Sequence, residues 1–155
     1  MVRPRLFYVA LLAAAAALIV TGSVFGQSNT VIDAILGEEV ATAQSAAYLA
    51  MTSAGLVADD ATPAVALRTA REEGWIGDRG DREPVTFGEY AYLMMRAHGV
   101  SGGLMYLIFP GPRYAAREFT YRGWSPERRA PGELVSGEFM VRVTGNMLEM
   151  VGGER

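Results

Sequence analysis

The sequence predicts an all-α fold of helix–loop–helix repeats: one half-repeat, then two full units, preceded by a signal-peptide helix. Three observations predict it. Apolar residues recur at the three-to-four spacing of amphipathic helices, between turns rich in Gly, Pro and Asp. Gly74-Trp75 returns as Gly123-Trp124, 49 residues later; Ala66, Arg68 and Gly88-Glu89 return as Ala115, Arg117 and Gly137-Glu138 at the same offset. The chain opens with Arg3 and Arg5, an apolar run over residues 6–20, the small and polar Thr21-Gly22-Ser23, and a candidate peptidase site at Val24-Phe25-Gly26.

A basic start, a short apolar centre and small residues at a cleavage point form the export-signal pattern. Residues 1–26 are therefore expected to be a signal peptide. The alternative is an uncleaved anchor reaching Phe25, although the 15-residue apolar run is short against the roughly 20 residues of a spanning helix. Residues 27–30 are polar and expected to be a disordered lead-in to a single domain over 31–155. Cleavage after Gly26 leaves 129 residues, in which 12 basic residues face 17 acidic ones. The formal charge is then −5, against −3 for the whole chain. That balance excludes nucleic acid as a partner, since a binder needs a basic face. It also argues against general adhesion to anionic lipid, so membrane association is expected only through residues 1–26 if they are retained. All 14 basic residues are Arg, which removes lysine-nucleophile chemistry. There is no Cys, hence no disulfide, thiolate or cysteine metal site. An exported domain of this kind is held by packing alone, and the expected location is the periplasm or cell envelope of a bacterium.

The elements follow in order. Residues 31–56 form a first apolar segment that Gly37 divides, with a longer helix over 42–54. Thr62 is an N-cap candidate and Pro63 suits the first helical position, where a missing N–H costs nothing; that helix ends at Gly74. The loop 77–84 is charged. Thr86 and Glu89 form a capping box, opening a helix to His98 that is apolar nearly all round and so expected to be central. Residues 104–109 (LMYLIF) are short and apolar, and periodicity leaves helix and strand both open. Pro110-Gly111-Pro112 starts a further helix that stops at Gly123. Ser136 caps the last helix, 137–151. Upstream, Thr42, Ala47, Tyr48, Leu49, Met51 and Gly55 match Thr86, Ala91, Tyr92, Leu93, Met95 and Gly99 at an offset of 44, which supplies the half-repeat.

Over approximately residues 42–151 this pattern resembles the S-layer homology (SLH) family. In that family a first helix ends near an aromatic or Gly residue, a loop follows, and a Thr-Arg-Ala-Glu-like motif opens the second helix. The matching stretches here are Thr86-Phe87-Gly88-Glu89, Val135-Ser136-Gly137-Glu138 and, more loosely, Thr42-Ala43-Gln44-Ser45. The resemblance implies an SLH-like fold and an envelope location. The motif Arg that contacts cell-wall polysaccharide is missing, with Phe87 and Ser136 in its place. The resemblance therefore does not carry the family's glycan site over.

Tyr106, Phe109, Arg113, Tyr114 and Arg117 crowd around two prolines and form the candidate binding surface, since aromatics and Arg dominate interface hot spots and also suit sugar stacking and anion contact. Trp75, Trp124, Thr86, Glu89, Ser136 and Glu138 are expected as structural anchors of the repeats. His98, the single histidine, is expected to serve the C-terminus of its helix, where a cation favours the dipole. Asp78, Asp81 and Glu83 lack the EF-hand spacing and lie among Arg residues. Glu72 is expected to pair with Arg68. No metal, cofactor or catalytic residue is expected. The leading expectation is a non-catalytic envelope module that binds a protein partner or organises an assembly. A glycan-binding module of SLH type is the alternative, and a wall-acting hydrolase comes third. Apolar faces at the ends of a repeat array also make self-association an expectation.

Overall fold

The computed structural model describes residues 23–152, which fold into seven α-helices with no strand among them. They are α1 (Ser23–Leu36), α2 (Ala43–Ser53), α3 (Pro63–Glu72), α4 (Phe87–Ala97), α5 (Leu104–Ile108), α6 (Pro112–Tyr121) and α7 (Gly137–Gly152). Residues 1–22, and with them most of the expected signal peptide, lie outside the described residues. Residues 27–30, expected as a disordered lead-in, are helical within α1. That helix leads into Val31, Ile32 and Ile35, which pack on the core, and it lies against α7. Residues 104–108, which periodicity left open, form α5.

Local chemistry sets the helix ends. Thr42, Thr62 and Thr86 accept the backbone N–H three residues on from α2, α3 and α4, and the Ser136 Oγ accepts the Phe139 N–H at 3.2 Å. Each fills one of the donors a helix start leaves unpaired. Pro63 and Pro112 sit in first turns. Gly55, Gly74, Gly99 and Gly123 follow α2, α3, α4 and α6 with φ between 62° and 74°. Each stops its helix in the left-handed conformation that glycine adopts freely. The N–H of the next residue then turns back onto the helix, as Trp75 does to the Ala70 carbonyl and Trp124 to the Phe119 carbonyl.

Helices α2, α4 and α7 meet at their N-termini. Ala41, Val85 and Val135, each just ahead of a cap, are buried and close a ring of backbone hydrogen bonds. Ala41 donates to Val135 at 2.7 Å, Val85 to Ala41 at 3.0 Å and Val135 to Val85 at 3.4 Å. The first residue of each helix repeats the pattern: Ala43 donates to Glu83, Phe87 to Glu133 and Gly137 to Glu38. Below the ring the three helices share the core. There the Tyr90 hydroxyl meets the Thr144 hydroxyl and donates to the Met140 carbonyl at 3.3 Å, while Met51, Met94, Met140 and Met147 fill the space around them. Burial raises the Tyr90 pKa, and the Thr144 hydrogen bond pulls against that. Helix α3 packs on α2, and α6 on α4.

The caps correct the sequence register. Thr86 corresponds to Ser136, 50 residues on, whereas Gly74 and Gly123 correspond at 49. The second loop is one residue longer. Glu138 is therefore not the counterpart of Glu89. Glu89 stands third in its helix and completes a capping box, whereas Glu138 stands second, is exposed, and pairs with Arg142 at 2.5 Å. For the same reason Gly137, rather than Ser136, stands where Phe87 stands.

Candidate functional site

Helix α6 buries Ala115, Ala116 and Phe119. Arg113, Arg117 and Tyr121, at i, i+4 and i+8, therefore share the opposite stripe, and all three are exposed. The loop after Trp124 brings Arg128, Arg129 and Pro131 alongside. Together with Ala116 and Thr120 they line an open groove of about 850 Å³. Four arginines line it and no Asp or Glu does. Arg129 is compensated by Glu127 and Glu133, each at 2.7 Å, and lies over the Phe139 ring at 4.4 Å. Arg113, Arg117 and Arg128 make no ion pair among the described residues, although Arg117 lies 5.6 Å over the Tyr114 ring. Three uncompensated cations in a concave, partly apolar wall attract anions, and the guanidinium fork suits carboxylate or phosphate.

Four of the five residues expected at a binding surface belong to this end of α6. Phe109 stacks on Tyr114 with centroids 6.4 Å apart and rings 26° from parallel, beside Arg113 and Arg117. The fifth, Tyr106, is buried at 6% exposure with its ring 6.4 Å from Tyr92. Its hydroxyl has no hydrogen-bond partner. Burial pushes its pKa up, Tyr92 adds to that and Arg96 opposes it. It anchors α5 and is not part of the surface. Arg128, Arg129 and Tyr121 are the groove residues that sequence reasoning missed. The adjacent Arg pair and the i+8 continuation from Arg113 were the available signals.

A second, smaller cleft of about 260 Å³ lies between Trp75, Arg79, Glu89, Tyr92 and Pro112. Arg79 pairs with Glu89 at 2.9 Å and donates to the Pro84 carbonyl. Glu89 also receives the Thr86 N–H at 2.9 Å, so it is a cap first. The two tryptophans, expected as equivalent anchors, differ. Trp124 is buried edge-on to Phe119 at 5.0 Å, with Arg122 above it at 4.9 Å. Trp75 is half-buried, lines the cleft, and has Arg96 at 5.8 Å.

The remaining candidates are occupied structurally. His98 is the C-cap of α4, with Nε2 3.0 Å from the Ser53 Oγ. Burial lowers its pKa, which works against the charged form expected at this helix end. Asp81 pairs with Arg71 at 3.1 Å, and Glu83 takes the Gly80 N–H at 3.0 Å. Arg71 thus makes the ion pair on α3; the expected Arg68–Glu72 pair does not form among the described residues. The sequence was expected to hold no nucleophile elbow, yet Gly99-Val100-Ser101-Gly102-Gly103 has the Gly-x-Ser-x-Gly spacing of one. An elbow needs a strand-to-helix turn. Here the stretch joins two helices, and the only histidine is bonded to Ser53. Among the described residues no three His, Asp or Glu side chains converge as a metal site. Comparison of the chain with protein-family models, characterised proteins and solved structures gives no significant match.

Proposed function

We propose that this chain is a non-catalytic module of the bacterial cell envelope that binds an acidic segment of a protein partner in the α6 groove. The observation that carries the reading is the groove itself: four lining arginines, of which Arg113, Arg117 and Arg128 make no ion pair among the described residues, in a chain whose formal charge is −3. Phe109 and Tyr114 add an aromatic edge of the kind that anchors interfaces. The export segment read from residues 1–26 supports an envelope location. The matching helix starts at Thr42, Thr86 and Ser136 support an SLH-like organisation, with α2 as the half-repeat and α3–α4 and α6–α7 as the two full units.

The full chain should bind a glutamate-rich peptide with an affinity that falls as salt rises, because exposed charge pairs are screened. Replacing Arg113 and Arg117 together with Ala should weaken that binding at least tenfold, and calorimetry at two salt concentrations measures it. Full affinity in the double variant would remove the groove from the function.

One observation favours a second reading, a wall polysaccharide ligand. The cleft of Trp75, Tyr92 and Arg79 offers stacking faces beside a guanidinium. Sedimentation of the chain with purified cell walls, lost in Trp75→Ala and kept in the Arg113/Arg117 variant, would move the function to that cleft. A wall-acting hydrolase requires acids converging in a pocket; Glu89 is the one carboxylate facing this cleft, and it serves as a cap.

A further inference from the structure

The segment 104–109 is bracketed by Gly102-Gly103 and Pro110-Gly111-Pro112, and only Tyr106 turns inward. Leu104, Met105, Leu107, Ile108 and Phe109 are 48–71% exposed. Five neighbouring large apolar side chains left in water form a contiguous patch, and such patches mark interaction sites. The surrounding charge is one-sided. From Tyr90 to Arg117 the chain has no Asp or Glu, while it carries Arg96, Arg113 and Arg117. The next acid, Glu118, lies beneath Gly103 and is paired with Arg122 at 3.4 Å.

We infer that the α5 face inserts into the interfacial layer of a membrane containing anionic lipid. An apolar tip flanked by arginines, with Arg96 beside Leu107 and Arg117 over the Tyr114 ring on which Phe109 stacks, fits that layer, with the tip reaching about 5–10 Å into the boundary of headgroups and acyl chains and the guanidinium groups meeting phosphates. Arginine stems also lie along apolar surface while their heads stay in the polar layer. The net negative charge of the chain does not oppose this, because screening limits its reach to about 10 Å and residues 90–117 carry Arg but no Asp or Glu. The same chain carries the apolar run 6–20 directly upstream of α1. Where that run is retained it brings the domain to a bilayer, and α5 then supplies a second point of attachment.

The chain contains no cysteine, so a single introduced one labels cleanly. Leu107→Cys and, as a control, Arg142→Cys at an exposed position of α7 would carry an environment-sensitive fluorophore in the full chain. The chain would be mixed with phosphatidylcholine vesicles, with and without phosphatidylglycerol, bearing brominated acyl chains. The expected result is several-fold stronger bromine quenching at position 107 than at 142, greatest with phosphatidylglycerol, and reduced when Arg113 and Arg117 are Ala. Equal quenching at both positions would overturn the inference, since residues 6–20 alone would then hold the protein at the membrane. A label at 107 that becomes shielded without lipid as protein concentration rises would overturn it in favour of a second copy of this chain. Circular dichroism of each labelled variant checks that the helices are retained.

Discussion

Arg79 and Arg129 occupy the same place in two loops 50 residues apart, each seven residues ahead of a helix cap. Both reach the third residue of the helix that follows. In the first loop that residue is Glu89, and Arg79 pairs with it at 2.9 Å while it completes the capping box. In the second it is Phe139, and Arg129 lies over the ring at 4.4 Å, taking its ion pairs from Glu127 and Glu133 instead. The two loops also turn alike, with Glu83 and Glu133 each accepting the N–H three residues back, from Gly80 and Ala130. The difference shows that the loop frame tolerates exchange of an ion pair for a cation–π contact, since both hold a guanidinium over a helix start. It also separates the surfaces. The first loop forms a small cleft with the half-buried Trp75, whereas the second packs Trp124 inside and opens the arginine groove.

Substitutions can test how far the two units differ. The largest effect is expected at the tryptophans. Trp124→Ala should cost about 3–5 kcal/mol, as for large buried aromatics, and Trp75→Ala only about 1 kcal/mol for partial burial; urea unfolding of both variants measures the gap. Equal losses would restore the two indoles as equivalent anchors. The helix starts come next. A Cβ on Gly137 would sit 1.6 Å from the Ile35 carbonyl oxygen, and one on Gly88 would sit 2.9 Å from the Pro112 and Pro131 carbonyls. Gly137→Ala should therefore destabilise by about 3 kcal/mol and Gly88→Ala by less, at about 1–2 kcal/mol, within the range for overpacking. Loss of the hydroxyl caps in Thr86→Ala and Ser136→Ala should cost about 1 kcal/mol each. The Thr86 change should be the larger because Glu89 also depends on it.

The smallest expected effect concerns pH. His98 has its folded pKa lowered from 6.5 by burial. The unfolded chain therefore takes up its proton first as pH falls through 6.5, and stability declines from there until the folded pKa is passed. His98→Gln keeps a partner for Ser53 without titrating. Its denaturation midpoint should fall less than that of the parent chain between pH 7.5 and 5. A parallel decline in both chains would remove His98 as the cause.

Much of the fold was legible in local residue patterns. Thr62, Thr86 and Ser136 cap helices where the sequence placed them, and Gly74, Gly99 and Gly123 stop them; Thr42, read as the first residue of its helix, is its cap instead. The repeat register was only partly legible. The weaker-looking offset of 44 aligns cap with cap and stop with stop: Thr42 with Thr86, and Gly55 with Gly99. The offset of 49 aligns the glycine stops but slips one residue at the caps, because chance placed Gly-Glu in both helices. Of the candidate surface, Phe109, Arg113, Tyr114 and Arg117 were legible as a cluster. The burial of Tyr106 was not, because a short apolar run carries no periodicity that tells its inner side from its outer one.

The sequence alone determined where α3, α4 and α7 begin and where α3, α4 and α6 end. Caps and left-handed glycines act through groups within three or four residues and through a single backbone angle, so no distant contact is needed to read them. The tertiary structure decided the rest. The ring of Ala41, Val85 and Val135, the close approach of Gly137 to Ile35, the arginine groove between α6 and a later loop, and the outward face of α5 all join segments tens of residues apart. Their register depends on loop lengths that differ by one residue, and local propensity has no term that senses such a difference.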